Sequence, residues 1–140
     1  MELNYLYNIV EKENIKIYDW HLDNAKGLFM NYNNINAIAL NYTQLTTEIE
    51  EKCTLAEELG HYYMDATYPA TTIDKTLIDK QEYRAKKWRI KTLIPAQQLS
   101  QLLEQGFSYS YEIAEELGVT EDLVQDAYLY YRENNMIKCY

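Results

Sequence analysis

Long hydrophobic runs are absent from this chain of 140 residues, and cysteines are few. No apolar stretch approaches the roughly 18 residues that a membrane-spanning helix needs, so we expect no membrane span. Residues 1–14 are acidic and amphipathic, and they lack the basic start and small-residue cleavage site of a signal peptide. The two cysteines, Cys53 and Cys139, have no metal-binding spacing and are expected to be reduced thiols. These absences predict a cytoplasmic protein.

Positive charge is also scarce, and it is unevenly distributed. The chain has 13 basic and 22 acidic residues and a net charge of −9. Residues 1–74 and 96–140 are strongly acidic, whereas a basic segment (residues 75–91) carries seven of the lysines and arginines. Because contacts with phosphate need clustered cations, we expect no direct nucleic-acid binding, and an acidic chain suits a basic partner. Nucleic-acid contact through the basic segment is the alternative to a salt-bridged surface there.

The spacing of apolar residues predicts an α+β fold with an all-helical second half. There is no internal repeat and no low-complexity linker. Thr47 followed by Glu50 indicates a capped helix start, and Pro69 interrupts the pattern after that helix. The predicted strands are 15–20, 27–32 and 37–41; the predicted helices are 2–12, 47–64, 79–93, 96–105 and a pair on either side of Gly118.

Residues 57–61 read E-E-L-G-H and contain one of the two histidines. On a helix, Glu57 and His61 lie on one face, one turn apart, and Glu58 is rotated by about 100°. The H-E-x-x-H motif of metallopeptidases uses this geometry, with two ligands for zinc and an intervening glutamate that activates water. A carboxylate in the first position is an acceptable zinc ligand and widens the choice of metal to Mn²⁺ or Fe²⁺. A solvated helix face is the alternative interpretation.

A catalytic zinc ion needs a third protein ligand and an open position. Glu82, 21 residues after His61, is the candidate, and it falls near the start of the next predicted helix. Asp79 and Glu82 also have the spacing of a helix cap and its N3 partner, which needs no metal. The second histidine, His21, and the cysteines lack a comparable spacing and are interpreted as structural.

The C-terminal helix pair has the spacing of a helix-turn-helix, with Gly118 at the turn and Thr120 capping the second helix. The helix that would enter the DNA groove carries Glu121, Asp122 and Asp126, which would face phosphates. We therefore expect a helical cap that packs on the core or docks a substrate, and no DNA contact.

Three stretches resemble the ImmA/IrrE family of zinc-dependent metallopeptidases, in that order and spacing: C-T-L-A-E-E-L-G-H-Y-Y, E-Y-R-A-K-K-W-R-I-K-T-L-I-P and Y-E-I-A-E-E-L-G-V-T-E-D-L-V-Q-D-A-Y-L-Y-Y. They are most similar to small members encoded by prophages and integrative elements of Gram-positive bacteria. In the family, an E-x-x-A-x-x-F-A-x-x-L-L-M-P segment follows the H-E-x-x-H helix. This chain differs by Arg89 at the second alanine and Thr92 at the first leucine.

The resemblance implies a role for each site residue. Glu57, His61 and Glu82 would be ligands of Zn²⁺, with Mn²⁺ or Fe²⁺ as alternatives, and Glu58 would be the general base. It also implies a zincin-like core over residues 1–95 and a helical cap over 96–140, within one compact domain. The expected activity is that of an anti-repressor that cleaves a DNA-binding helix-turn-helix repressor.

The sequence is compatible with three classes of function. The first is an active metallo-endopeptidase, and the second is an inactive relative that regulates a repressor by binding alone. The third is a nucleic-acid-binding regulator that uses the basic segment. Metal content and salt-dependent nucleic-acid binding distinguish them.

Overall fold

The structure, a computed structural model, describes residues 1–138 and has a mixed α+β architecture, as predicted. Within these residues, no helix is both long enough and apolar enough to cross a membrane. The elements are α1 (Leu3–Lys12), β1 (Lys16–Asp19), β2 (Gly27–Tyr32), β3 (Ile35–Leu40), α2 (Glu48–Tyr63), α3 (Lys75–Leu93), α4 (Ala96–Glu104), α5 (Ser110–Leu117) and α6 (Glu121–Glu133).

The three strands form one small sheet in the order β1-β3-β2. Strand β3 is central: it pairs in parallel with β1 and antiparallel with β2. A two-residue turn at Asn33 and Asn34 connects β2 to β3, and both residues have positive φ angles of 50° and 63°. Asparagine tolerates this left-handed conformation, which the tight turns of β-hairpins require. Strand β3 therefore starts at Ile35, two residues before the predicted position.

Helix α2 is the central helix of the N-terminal part of the chain. It contacts α1, β2 and β3, and Leu55, Ala56 and Leu59 on it are fully buried. Buried residues of α1 and β3, including Leu6 and Ile38, complete this core. Packing on several sides explains why the functional residues of α2 lie at fixed positions.

Helix α3 begins at Lys75, four residues before the predicted start at Asp79. The Asp74 carboxylate accepts hydrogen bonds from the backbone N–H groups of Thr76 and Leu77, at 3.0 and 3.3 Å, and so caps the helix. The predicted cap formed by Asp79 and Glu82 is therefore wrong, because both residues lie inside the helix. Glu82 is left without a capping role.

The chain forms two compact units, Met1–Arg89 and a second unit that begins at Ile90, so the boundary falls within α3. The predicted division into a core (1–95) and a cap (96–140) stays a prediction. In the second unit, α5 packs against α6, Gly118 ends α5 with a φ of 65° and the Thr120 hydroxyl caps α6. The predicted helix pair about Gly118 is confirmed.

Candidate metal centre

Residues at the two ends of α2 determine where the helix that carries Glu57 and His61 begins and ends. The Thr47 hydroxyl accepts a hydrogen bond from the N–H of Glu50 and caps the helix, and the acidic first turn favours its N-terminus. The helix ends after Tyr63, and Asp65 follows with a positive φ of 49°. This turn brings Ala66 back over the last turn of α2, where its N–H bonds to the carbonyl of His61 at 2.9 Å.

A close contact between two helices positions Glu82. A Cβ atom at Gly60 would lie only 2.5 Å from the carbonyl oxygen of Ala85, so the backbones of α2 and α3 meet at this point. Ala85 is fully buried. Because Glu82 precedes Ala85 by one helical turn and His61 follows Gly60, the contact sets the two side chains opposite each other.

Glu57, His61 and Glu82 converge. One potential ligand atom from each lies within 4.8 Å of those from the other two, and His61 Nε2 is 3.4 Å from Glu82 Oε2. Two atoms bound to one zinc ion at about 2.1 Å with tetrahedral angles are about 3.4 Å apart. The sequence-predicted trio is therefore together, and the separation of the last two residues matches a shared ion.

Each of the three side chains also has a hydrogen bond to a residue outside the trio. His61 Nδ1 donates to the carbonyl of Ala66 at 2.6 Å, which leaves Nε2 as the coordinating nitrogen. The Tyr68 hydroxyl donates to Glu82 Oε1 at 2.7 Å, and Arg89 Nη1 donates to Glu57 Oε2 at 3.1 Å. Such supporting hydrogen bonds are typical of metal ligands, so the donor set fits a divalent cation.

Glu58 occupies a different environment from its neighbour Glu57. It is only 7% exposed, and burial raises the pKa of its carboxyl to about 8. The charge of His61 opposes this rise, and the two other carboxylates of the centre support it. A Cβ atom at Gly27 would lie 3.0 Å from Glu58 Oε2, so β2 passes close to this carboxyl. The Glu58 carboxyl therefore exchanges its proton at a much higher pH than an ordinary glutamate with a pKa of 4.5.

His61 and Glu82 form an ion pair. Burial alone would lower the pKa of His61, but the hydrogen bonds to Glu82 and to the Ala66 carbonyl, with the charges of Glu58 and Glu82, raise it to about 9. The hydrogen bond with His61 is also the main cause that lowers the pKa of Glu82. Without a metal ion, protonated His61 thus supplies the positive charge next to the Glu82 carboxylate that a bound cation would supply.

Sequence reasoning missed two of the supporting residues. Ala66 and Tyr68 lie in the stretch D-A-T-Y-P-A-T-T, which reads only as a helix break. Arg89 stands out as a departure from the family pattern, but its distance of 32 residues from Glu57 hides their pairing. No local signal in the sequence reports such contacts.

His21 and Cys53 are not part of this cluster. The His21 side chain is 72% exposed and lies 3.8 Å from Asp23, so the structural role assigned to it finds no support. Cys53 is a buried free thiol, as expected, whereas Cys139 lies outside the described residues. In the basic segment, Lys75 pairs with Asp79 and Arg89 with Glu57.

A helix pair that brings together one histidine and two carboxylates, with a buried glutamate alongside, is typical of a metallopeptidase-like domain. The comparison with protein families agrees: the model of the peptidase M78 family, described as the IrrE N-terminal-like domain, matches residues 10–127. The chain belongs to this family, as its resemblance to ImmA/IrrE proteins predicted. No curated protein and no solved structure matches the chain significantly.

Proposed function

We propose that this protein is a metal-dependent endopeptidase whose ion is held by Glu57, His61 and Glu82. The observation that carries the proposal is the convergence of these ligand atoms from two helices to within 4.8 Å. Zn²⁺ is the expected ion, and the two carboxylates also suit Mn²⁺ or Fe²⁺. Family membership supports the class of reaction.

Glu58 would move the proton in this reaction. A divalent ion at the centre would polarise the scissile carbonyl and lower the pKa of a water molecule. Glu58 takes a proton from the attacking water as the water oxygen bonds to the carbonyl carbon. It then delivers that proton to the amide nitrogen as the carbon–nitrogen bond breaks. In the metal-free protein the pKa of its carboxyl is about 8, and a cation at the centre would lower that pKa, so that the carboxylate is available to accept the proton.

We further propose that the substrate is a DNA-binding helix-turn-helix repressor, so that cleavage makes this protein an anti-repressor. The net charge of −9 favours association with a basic, DNA-binding protein. The similarity to small members of the family from mobile elements points to the same substrate. The specific repressor expected as the substrate under this proposal is the one encoded next to the gene for this protein.

The experiment combines metal analysis with a cleavage assay. We expect about one Zn²⁺ per wild-type chain by elemental analysis, none in His61→Ala, and the wild-type content in the control His21→Ala, whose side chain is exposed. The zinc-loaded protein should cleave the neighbouring repressor, and a chelator should stop it. Glu58→Gln should retain the metal and lose cleavage by at least about 100-fold. Absence of metal from the wild-type protein would contradict the proposal.

Binding without cleavage is a second candidate function, because Glu57 stands where the motif has a neutral histidine. A carboxylate at this position adds negative charge to the centre, which weakens the Lewis acidity of a bound ion. In this case the repressor would bind to the protein equally well with and without chelator and would remain intact. Size-exclusion chromatography followed by mass spectrometry of the repressor distinguishes the two candidates.

A further inference from the structure

The ion pair between Glu57 and Arg89 is largely enclosed. Arg89 Nη1 lies 3.1 Å from Glu57 Oε2, and their side chains are only 14% and 21% exposed. Exposed ion pairs contribute little, but removal of one partner from an enclosed pair leaves a charge without compensation. The two residues therefore constrain each other more strongly than a surface pair would.

Each member of this pair depends on the other. Among residues 1–138, Glu57 is the only acidic residue within ion-pair distance of Arg89. Arg89 Nε is buried and has no hydrogen-bond partner within the same part of the chain. The compensation of the arginine charge thus comes from Glu57, and the orientation of Glu57 comes from the arginine.

The pair also changes the charge of the metal centre. Glu57, His61 and Glu82 carry a formal charge of −2 with a neutral imidazole, whereas two histidines and one carboxylate carry −1. The guanidinium is always protonated, so it restores the total to −1. A carboxylate has two oxygens, and the contact of Arg89 with Oε2 leaves the other oxygen of Glu57 as a ligand atom.

We propose that Arg89 is a positioning residue of the metal centre and that Glu57 and Arg89 act as one unit in place of the neutral histidine of the H-E-x-x-H motif. Arg89 fixes the carboxylate through one oxygen and offsets its charge. This inference rests on the metal site proposed above and adds the residue on which the affinity of that site depends.

The test measures Zn²⁺ affinity by competition with a chromophoric chelator, which does not require catalytic activity. Arg89→Ala should weaken binding by about 10- to 100-fold, the range typical of residues that support a metal ligand. Arg89→Lys should recover most of the affinity because it restores the charge next to Glu57. The matched control is Lys87→Ala, which removes a cation of the same helix that lies over the Tyr83 ring, and it should bind Zn²⁺ like the wild type.

A double-mutant cycle that combines Glu57→His with Arg89→Ala tests whether Glu57 and Arg89 act together or independently. Glu57→His alone should bind Zn²⁺ more weakly than the wild type, because the Arg89 charge then faces the ion without its carboxylate. Glu57→His combined with Arg89→Ala should bind more tightly than either single variant, because it recreates a neutral ligand. Circular dichroism of the metal-free variants controls for folding, and the double variant and Arg89→Lys keep the test decisive if Arg89→Ala does not fold.

The outcomes separate this inference from the proposed function. If the wild-type protein binds no metal, both fail. If it binds Zn²⁺, and Arg89→Ala binds it equally well or more tightly, the inference alone is wrong. The same holds if Glu57→His improves binding by the same factor with arginine or alanine at position 89.

Discussion

Two adjacent glutamates of α2 differ in chemistry because their surroundings differ. Glu57 has an arginine at 3.1 Å, whereas Glu58 is buried and its pKa is raised to about 8 mainly by that burial. One carboxylate is therefore held by a cationic partner, and the carboxyl of its neighbour keeps its proton to a higher pH than an ordinary glutamate. A one-residue step along a helix, about 100°, is sufficient to create this difference.

The metal-free protein should lose stability as the pH rises from about 5 to 9. The pKa of His61 is about 9 in the folded state against an ordinary 6.5, so its contribution is complete below pH 6.5 and is lost as the pH rises through 9. The pKa of Glu58 is about 8 against 4.5. Between pH 4.5 and pH 8, Glu58 is protonated in the folded state and ionised in the unfolded state. The free energy of unfolding therefore falls further as the pH rises through this range.

Urea unfolding in the presence of a chelator at several pH values measures this effect. Glu58→Gln removes one of the two groups and should show a shallower decrease than the wild type. A wild-type midpoint that stays constant or rises between pH 6 and pH 9 would contradict the prediction.

Tyr68→Phe should weaken the binding of Zn²⁺ without unfolding the protein. The variant loses only the hydroxyl that donates to Glu82 Oε1 at 2.7 Å, so Glu82 becomes free to rotate away from His61. We expect a loss of affinity of about 10-fold and a change in stability of about 1 kcal/mol. Tyr83→Phe is the control, because Tyr83 is also on α3 but is 53% exposed. Equal chelator-competition curves for the two variants would show that Tyr68 does not support the ligand.

At the scale of elements, the contact between α2 and α3 brings the three candidate ligands together. Cap signals predicted two of the helix starts: the Thr47 hydroxyl caps α2 and the Thr120 hydroxyl caps α6. The predicted start of α3 is wrong because Asp74 and Asp79 are both suitable N-cap residues by type. Only the structure shows that Asp74 accepts the hydrogen bond from the backbone. The helix crossing at Gly60 has no local signature, since a helical glycine is compatible with many neighbours.

Gly60→Ala should destabilise the protein and weaken metal binding. In an ordinary helix this change stabilises by up to about 1 kcal/mol, but here the new Cβ would lie 2.5 Å from the Ala85 carbonyl. The helices must separate, which typically costs about 1–3 kcal/mol and moves Glu82 away from His61. Urea unfolding and chelator competition measure the two effects. A variant more stable than the wild type would contradict the close approach of the helices.

At the scale of the whole molecule, the net charge and the acidic surface of α6 argue against nucleic-acid binding. The chain carries a net charge of −9, and Glu121, Asp122 and Asp126 on α6 are exposed. The basic segment is partly neutralised by its own contacts, since Lys75 and Arg89 have acidic partners and Lys87 lies over Tyr83. An acidic second helix of the pair is unsuited to a phosphate backbone.

Filter binding with duplex DNA should therefore show no specific complex at about 0.15 M salt. Any retention at low salt should disappear as salt is added, because it would come from the basic segment alone. Lys75→Glu combined with Lys80→Glu, both exposed on α3, should reduce that residual retention and leave Zn²⁺ binding unchanged within about twofold. A DNA affinity that persists at 0.15 M salt would support the nucleic-acid-binding function.

The sequence by itself determined the α+β class, the capped helix that carries Glu57 and His61, and the choice of Glu82 as the third candidate ligand. These features depend on short spacings, on cap and turn residues, and on motifs that span only a few consecutive residues. Only the tertiary structure decided that the three side chains meet and that Ala66, Tyr68 and Arg89 hold them. The physical reason is that these contacts join segments far apart in the chain, and packing between helices, not local backbone preference, determines which segments touch.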